Sequence, residues 1–379
     1  MRVVHIITRL IVGGAQENTL LSCSDLASDF GDEVLLIIGA ETGLEGSLFS
    51  EIGDKFSVLV LPDLVRSISP YRDIRAYFGL QRSLIDFKPD VVHTHSAKAG
   101  IIGRCVAWNL GVPLVVHTVH GAPFYPYQNI FVRKFYQFCE RFAAKRCHAM
   151  ISVADAMTDL MTDAKIAASE KFTTIYSGME VDQFLNSEQF RASTRERFGI
   201  IDSDIVVGKI ARLFRLKGHE YLISAAEAVL RAVPAVKFMF VGDGIFMERF
   251  RGEVQSRGIA DRFIFTGLLP PEQIPAAISA MDIVVHTSLR EGLARVLPQA
   301  LLSGKPVISY DIDGAREVVI DGVTGYLLPP KSIKQLESAI IKLATSPDLR
   351  TKFGQTGKER FAHQFNHHNM TAQIRKLYE

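Results

Sequence analysis

The chain contains no run of about 18 apolar residues, so no part of it is expected to cross a bilayer as a helix. Cysteine is scarce. Cys23, Cys105, Cys139 and Cys147 show no Cys-x-x-Cys or paired spacing. That argues against a disulfide framework or a zinc site and for buried, reduced thiols. An excess of one charge is also lacking: 43 Lys and Arg against 41 Asp and Glu leave +2, too little to argue for nucleic acid. Short repeats and low-complexity segments are missing. The opening MRVVHIITRL has no cleavage region and leads straight into a Gly turn, so a strand is expected there rather than a signal peptide. The expected compartment is the cytoplasm.

What is present is ordinary globular material. The 379 residues suggest two domains, and 47% hydrophobic with 22% charged residues suffices for full cores. Short β-branched runs alternate with helical patterns. Strands are expected at Val3–Ile7, Glu33–Ile38, Ser57–Leu61, Val91–Thr94, Leu114–Thr118 and Ala149–Val153. The alternation pauses at Thr173–Phe184. It restarts with Ile205–Ala211, Lys237–Val241, Arg262–Thr266, Ile283–His286 and Pro306–Ser309. A parallel sheet that stops and restarts implies two doubly wound α/β domains. Thr351–Glu379 reads as amphipathic and helical.

Three stretches could carry chemistry. GGAQE, from Gly13 to Glu17, lies between the first strand and the first helix, where paired glycines let an anion approach a helix N-terminus. A plain structural turn would use the same residues. ARLFRLKG, Ala211–Gly218, gathers Arg212, Arg215 and Lys217 at a strand end. Such a cluster suits a diphosphate, and a solvated basic loop is the competing account. REGLARVLPQAL, Arg290–Leu301, follows a buried strand. Pro298 is tolerated only near a helix start. The first turn therefore lies beside Glu291–Ala294, with backbone N–H groups of Gly292, Leu293 and Ala294 open to phosphate. Gln299 sits on an otherwise apolar helix and must find a partner if buried.

With HTVHG (His117–Gly121), IYSGMEVDQF (Ile175–Phe184), FVGDG (Phe240–Gly244), FTG (Phe265–Gly267) and DGVTGYL (Asp321–Leu327), these stretches follow one order along nearly the whole chain. The succession resembles the retaining glycosyltransferases of family 4, whose fold is GT-B: two Rossmann-like domains facing across a cleft. The resemblance implies an acceptor-binding domain over 1–183, a nucleotide-sugar-binding domain over 184–360, and a last helix, 361–379, crossing back to the first. It assigns the reacting centre to His120, Glu291, Arg212 and Lys217. Arg212 and Lys217 match the diphosphate pair, and Glu291 matches the first acid of the Glu-x7-Glu signature. Gly292, Leu293 and Ala294 match the backbone that holds phosphate, and His120 the histidine opposite the transferred sugar. Gly13 and Gly14 match the first-domain loop that closes on the phosphate. Gly267 and Leu268 lie where the base is held. Gln299 departs from the pattern, standing where a second Glu usually takes the ribose hydroxyls. No cofactor is implied beyond the nucleotide-sugar substrate, with a UDP-sugar favoured over a GDP-sugar.

A metal is not expected. His93, His95, His117 and His120 have ligand-like spacing, yet alternate positions on strand ends need not converge and no nearby acid completes a set. Asp311 and Asp313 form an Asp-x-Asp that reads as a loop feature, with Arg316 and Glu317 near the base or ribose at most. FVRKFYQFCERFAAKR, Phe131–Arg146, interleaves cations with aromatics and places Phe131, Phe135, Phe138 and Phe142 along one side. It is either a core-facing helix with a solvated back or a face that lies on anionic membrane.

The expected function is sugar transfer from a nucleotide diphosphate to a polyisoprenyl-linked or saccharide acceptor, with retention, in cell-surface polysaccharide synthesis. Such an enzyme would be peripheral on the inner face of the membrane. Nucleic acid is not an expected partner. Two alternatives stay open: a sugar-nucleotide 2-epimerase of the same fold, and a non-catalytic sugar-nucleotide binder.

Overall fold

The computed structural model describes residues 1–40, 48, 52 and 54–379. The chain divides into two compact units, residues 1–179 with 366–379, and residues 180–365. The first unit contains β1 (Arg2–Ile7), β2 (Glu33–Gly39), β3 (Ser57–Leu61), β4 (Val91–His95), β5 (Leu114–Val119), β6 (Ala149–Ser152) and β7 (Phe172–Thr174). They form one sheet in the order β3-β2-β1-β4-β5-β6-β7, and every pairing is parallel. The second unit contains β8 (Ile205–Ile210), β9 (Val236–Val241), β10 (Phe263–Gly267), β11 (Ile283–His286), β12 (Val307–Tyr310) and β13 (Gly325–Leu328). Its order is β10-β9-β8-β11-β12-β13, again parallel throughout.

The uninterrupted apolar runs of the central strands follow from helices covering both sheet faces. Each sheet reverses its order at its first strand, between β1 and β4 and between β8 and β11. Ligands of open α/β sheets bind beyond the carboxyl ends of strands at such reversals. These reversals are what position the candidate residues.

The unit boundaries fall after Met179 and Phe365, a few residues from the 183 and 360 read from sequence. The tail is two helices rather than one. Pro347–Phe361 stays with the second unit. Asn366 then caps His367–Tyr378, its side chain accepting from the His368 N–H. This last helix packs against the Gly14–Phe30 helix. Asp25 Oδ2 accepts from the Thr371 hydroxyl and bonds His367 Nδ1, both at 2.8 Å. Met370, Ile374 and Tyr378 belong to the core of the first unit.

The Ile130–Ala144 helix overturns the core-facing reading. Its buried residues are Glu140, Ala143 and Ala144. Glu140 pairs with Arg104 Nη2 at 2.9 Å, and both side chains are almost fully buried. The inward face is therefore small residues and one ion pair, and the aromatic stripe points out: Phe131 is 79% exposed and Phe138 65%. The thiol expectation also needs correction. All four cysteines are free, and Cys23 and Cys147 are buried, but Cys105 and Cys139 are only partly so.

Candidate functional site

In the second unit, β8 ends at Ile210 and the chain turns through Ala211–Gly218 into the His219–Ala232 helix. Gly218 has φ 71°, and a Cβ there would collide with the Thr287 carbonyl oxygen, so the glycine is required. That close approach stitches the loop to the one after β11. The Thr287 hydroxyl donates to the Gly218 carbonyl at 2.7 Å, and the Leu289 N–H to the Leu216 carbonyl at 2.8 Å. Lys217 is thereby set against Glu291, Nζ to Oε1 2.6 Å. His286 Nε2 lies 3.5 Å from the same oxygen. Burial alone would raise the Glu291 carboxyl, but Lys217 and His286 outweigh it and hold the group well below the usual carboxylate range. Glu291 is an anion at neutral pH.

The Glu291 loop is buttressed from behind. Its backbone N–H donates to Asp313 Oδ2 at 2.6 Å. Asp313 sits at φ 45°, and burial pushes its carboxyl up to about 6. Asp311 takes a separate role, holding Arg316 through two hydrogen bonds of 3.0 and 2.7 Å. The Asp-x-Asp is a loop feature in which the second acid supports Glu291. The sequence reading missed that link because nothing local ties position 313 to position 291.

The N–H groups of Gly292, Leu293 and Ala294 donate to no protein acceptor among the described residues. They precede the Val296–Leu302 helix, which Gly304, at φ 69°, follows. Pro298 lies in its first turn. Gln299 is half-buried, and its amide makes no hydrogen bond among the described residues. Arg212 is exposed, with its guanidinium 5.3 Å from the Phe214 ring centroid. The β8, β9 and β10 ends adjoin: the Gly242 N–H donates to the Gly267 carbonyl at 3.0 Å, and a Cβ on Gly242 would strike the Ala211 carbonyl oxygen. Gly267 therefore lies one strand beyond the β9 end that touches Ala211, while Leu268 is exposed.

Sequence reasoning also passed over Lys209. It lies near the end of β8, fully buried, and its Nζ has no hydrogen-bond partner among the described residues. Burial first, then the Lys217 charge, brings it down to about 7, against the opposing pull of Glu291 and Glu220.

In the first unit, Gly13 precedes the Gly14–Phe30 helix, and its carbonyl accepts from the Gln16 and Glu17 N–H groups. His120 follows β5 and is partly exposed. It borders a recess lined by Ser96, His117, Gly121, Pro123 and Glu140. Three of the four histidines with ligand-like spacing, His93, His95 and His120, do come together. His93 and His95 share one face of β4 and stack with centroids 4.4 Å apart. His5 joins them from β1, and the ring nitrogens of His5, His93 and His95 lie within 4.8 Å of one another. His95 Nδ1 reaches His120 Nε2 at 3.0 Å. His117 turns aside to Thr94, at 2.9 Å.

This geometry can be set beside known proteins. Residues 13–178 match the family described as glycosyl transferase 4-like domain, and residues 190–360 match glycosyl transferases group 1. A UDP-Gal:alpha-D-GlcNAc-diphosphoundecaprenol alpha-1,3-galactosyltransferase of Escherichia coli is 26% identical, over 100% of this chain and 96% of its own. An alpha-D-kanosaminyltransferase of Streptomyces kanamyceticus is 29% identical over 70% of each chain. Among solved structures, Anabaena Alr3699/HepE in complex with UDP-glucose superposes with a TM-score of 0.81 at 21% identity, over 100% of this chain and 99% of that one. Two doubly wound parallel sheets, with family matches that span both of them, lead to one assignment: the chain belongs to the family-4 glycosyltransferases of the GT-B fold.

Proposed function

We propose that this glycosyltransferase moves a sugar, with retention of configuration, from a UDP-sugar to a polyisoprenyl-linked saccharide at an anionic membrane surface, in cell-surface polysaccharide synthesis. The observation that carries the reading is the outward aromatic stripe Phe131, Phe135, Phe138 and Phe142, interleaved with Arg133, Lys134 and Lys145. A soluble helix buries such a stripe, and an interfacial one exposes it. The Pro70–Phe87 helix adds Tyr71, Ile74 and Phe78, all exposed, and both helices pack on Ala97–Asn109. The diphosphoundecaprenol-linked acceptor named for the E. coli relative supports the same reading.

The chemistry follows from charge. Departure of the nucleotide leaves negative charge on a diphosphate. Lys217, Arg212 and the N–H groups of Gly292–Ala294 are the donors assigned to it. The sugar becomes oxocarbenium-like, and the Glu291 carboxylate is the fixed anion that offsets its charge. The family resemblance assigns His120 to the transferred sugar. No protein nucleophile is assigned, and a donor phosphate oxygen takes the acceptor proton.

The membrane reading is tested by pelleting with anionic vesicles. Arg133→Glu with Lys134→Glu, and separately Phe131→Ser with Phe138→Ser, should abolish pelleting of a folded protein. Arg141 is left intact, because its guanidinium already holds the Ala164 and Lys165 carbonyls. Unchanged pelleting sinks the membrane reading. A thermal-shift screen of UDP-, GDP- and ADP-sugars tests the donor, and a response to GDP-sugars alone overturns the uridine assignment. Product analysis with and without acceptor separates transfer from 2-epimerisation.

A further inference from the structure

Within the first unit, a single line of hydrogen bonds runs through four imidazoles and two hydroxyls. It starts at Thr118, whose Oγ1 lies 2.6 Å from His93 Nε2. His93 Nδ1 lies 2.6 Å from the Tyr378 hydroxyl. That hydroxyl lies 3.4 Å from His5 Nε2. His5 Nδ1 lies 2.9 Å from His95 Nε2, and His95 Nδ1 lies 3.0 Å from His120 Nε2. His5, His93 and His95 are fully buried, on strands whose other residues are mostly valine and isoleucine. The parallel pairing of His5 with His93 sets the first two side by side, and the period of two along β4 adds the third. Tyr378 reaches the line from the last helix.

Burial holds His5, His93 and His95 below the ordinary histidine range. A neutral imidazole carries one N–H and one lone pair. Each of these three rings uses both nitrogens within the line, and each contact must hold one proton. Only two arrangements give every contact one proton and also use the Tyr378 hydroxyl hydrogen within the line. In one, His5, His93 and His95 all carry the proton on Nδ1, and His120 Nε2 accepts. In the other, all three carry it on Nε2, and His120 Nε2 donates. A mixed set leaves a contact with two protons or with none, or, where His93 Nδ1–H and His5 Nε2–H both donate to Tyr378, leaves the buried hydroxyl hydrogen without an acceptor in the line.

We propose that this line is a tautomer lock. His95, His5, Tyr378 and His93 act as positioning residues that fix whether His120 Nε2 donates or accepts, and so fix the ring His120 presents beyond β5. The mechanistic value of the lock rests on the reading of His120 as the group beside the transferred sugar. The lock itself does not. The competing account is a metal held by the three buried imidazoles, which would have to break the contacts just described.

The test uses the full chain, labelled with 15N in histidine and stripped of metal. The imidazole nitrogen shifts should show His5, His93 and His95 sharing one tautomer, with His120 Nε2 protonated only when theirs is Nε2–H. A mixed set among the three overturns the proposal. Tyr378→Phe keeps the ring in the core and removes the hydroxyl that joins the two halves. It should change the His95 and His120 shifts, although neither residue touches position 378. Unchanged shifts there overturn the lock. Should that variant fail to fold, Thr118→Val, which removes the terminal partner, must produce the same response. Zinc added alone should leave the pattern intact, and its tight uptake by the three rings overturns the lock in favour of a metal site. In transfer assays Tyr378→Phe should lower kcat about tenfold or more, the scale of losing a partner that orients a histidine, with donor KM unchanged. A kcat equal to wild type with altered shifts leaves the lock in place and removes His120 from the sugar.

Discussion

Lys217 and Glu291 form a short ion pair, 2.6 Å between Nζ and Oε1, joining the loops after β8 and β11. Each side chain is about one-fifth exposed, so the pair is neither screened as on a surface nor stranded as in a core. It keeps a cation and an anion adjacent at a strand-order reversal. An anionic leaving group that approaches Lys217 therefore meets a cation already in place.

Lys217→Ala should cost about 2–4 kcal/mol of transition-state stabilisation, the range for one preorganised donor. Turnover within threefold of wild type would place the diphosphate elsewhere. Because Lys217 and Arg212 are assigned the role that a divalent ion takes in other transferases, turnover should also survive excess chelator. A strict manganese or magnesium requirement contradicts that assignment.

Glu291→Gln should reduce kcat about a hundredfold, from loss of one fixed charge facing the sugar. Gln299 is a separate case. Its amide has no partner among the described residues, and an amide can both accept from and donate to a ribose diol. Gln299→Ala should raise donor KM with little change in kcat, since ribose contacts are alike in ground and transition states. Gln299→Glu should tighten donor binding by roughly 1 kcal/mol, about fivefold. Calorimetry reads both variants. If Gln299→Ala binds donor as well as wild type, the residue does not touch the ribose.

Lys209 gives a stability prediction with a definite sign. Its folded-state value, about 7, lies below the ordinary lysine value. Below pH 7 folded and unfolded chains are both charged there, and the fold bears the full cost of an isolated buried ammonium. As pH rises above 7, the unfolded chain keeps the proton that the folded chain has lost, so stability climbs until the ordinary lysine value, about 10.4, is reached. Lys209→Met should therefore stabilise the second unit at pH 6 by about 1–4 kcal/mol, and by clearly less at pH 9.5. Urea unfolding at the two pH values measures this. No gain at pH 6 would mean that the ammonium has a compensating partner.

The Arg104–Glu140 pair predicts the opposite outcome. Glu140→Ala leaves a guanidinium buried beneath the Ile130–Ala144 helix and should destabilise the first unit by about 3–5 kcal/mol. Replacing both partners by apolar residues should recover most of that loss. A single variant as stable as wild type would mean that water reaches Arg104.

Most strands were legible because both sheet faces are covered, which turns them into unbroken apolar runs such as Val3–Ile7 and Ile283–His286. The sequence reading missed the edge strands β7 and β13, since Phe172–Thr174 and Gly325–Leu328 are short and lack that signature. The order Arg212, Lys217, Glu291 and Gln299 could be read from motif succession. The supports could not. Asp313 meets Glu291 across 22 positions and Tyr378 meets His93 across 285, and no local period reports contacts of that range. The aromatic helix failed differently. Periodicity revealed the stripe, but the rule that apolar faces turn inward does not hold when Glu140 and Arg104 anchor the other side.

The last helix sets an order of completion opposite to the order of synthesis. Met370 lies 352 positions after its hydrogen-bond partner Asn18, with the whole second unit between them. While a nascent chain grows, β1 through β7 can pair, yet the places of Met370, Ile374 and Tyr378 stay unfilled until 186 further residues, 180–365, have emerged. The half made first is finished last. Loss of residues 366–379 alone should therefore expose core in the amino-terminal half and leave the carboxyl-terminal half folded, marking the truncated chain for proteolysis far from the site of the lesion.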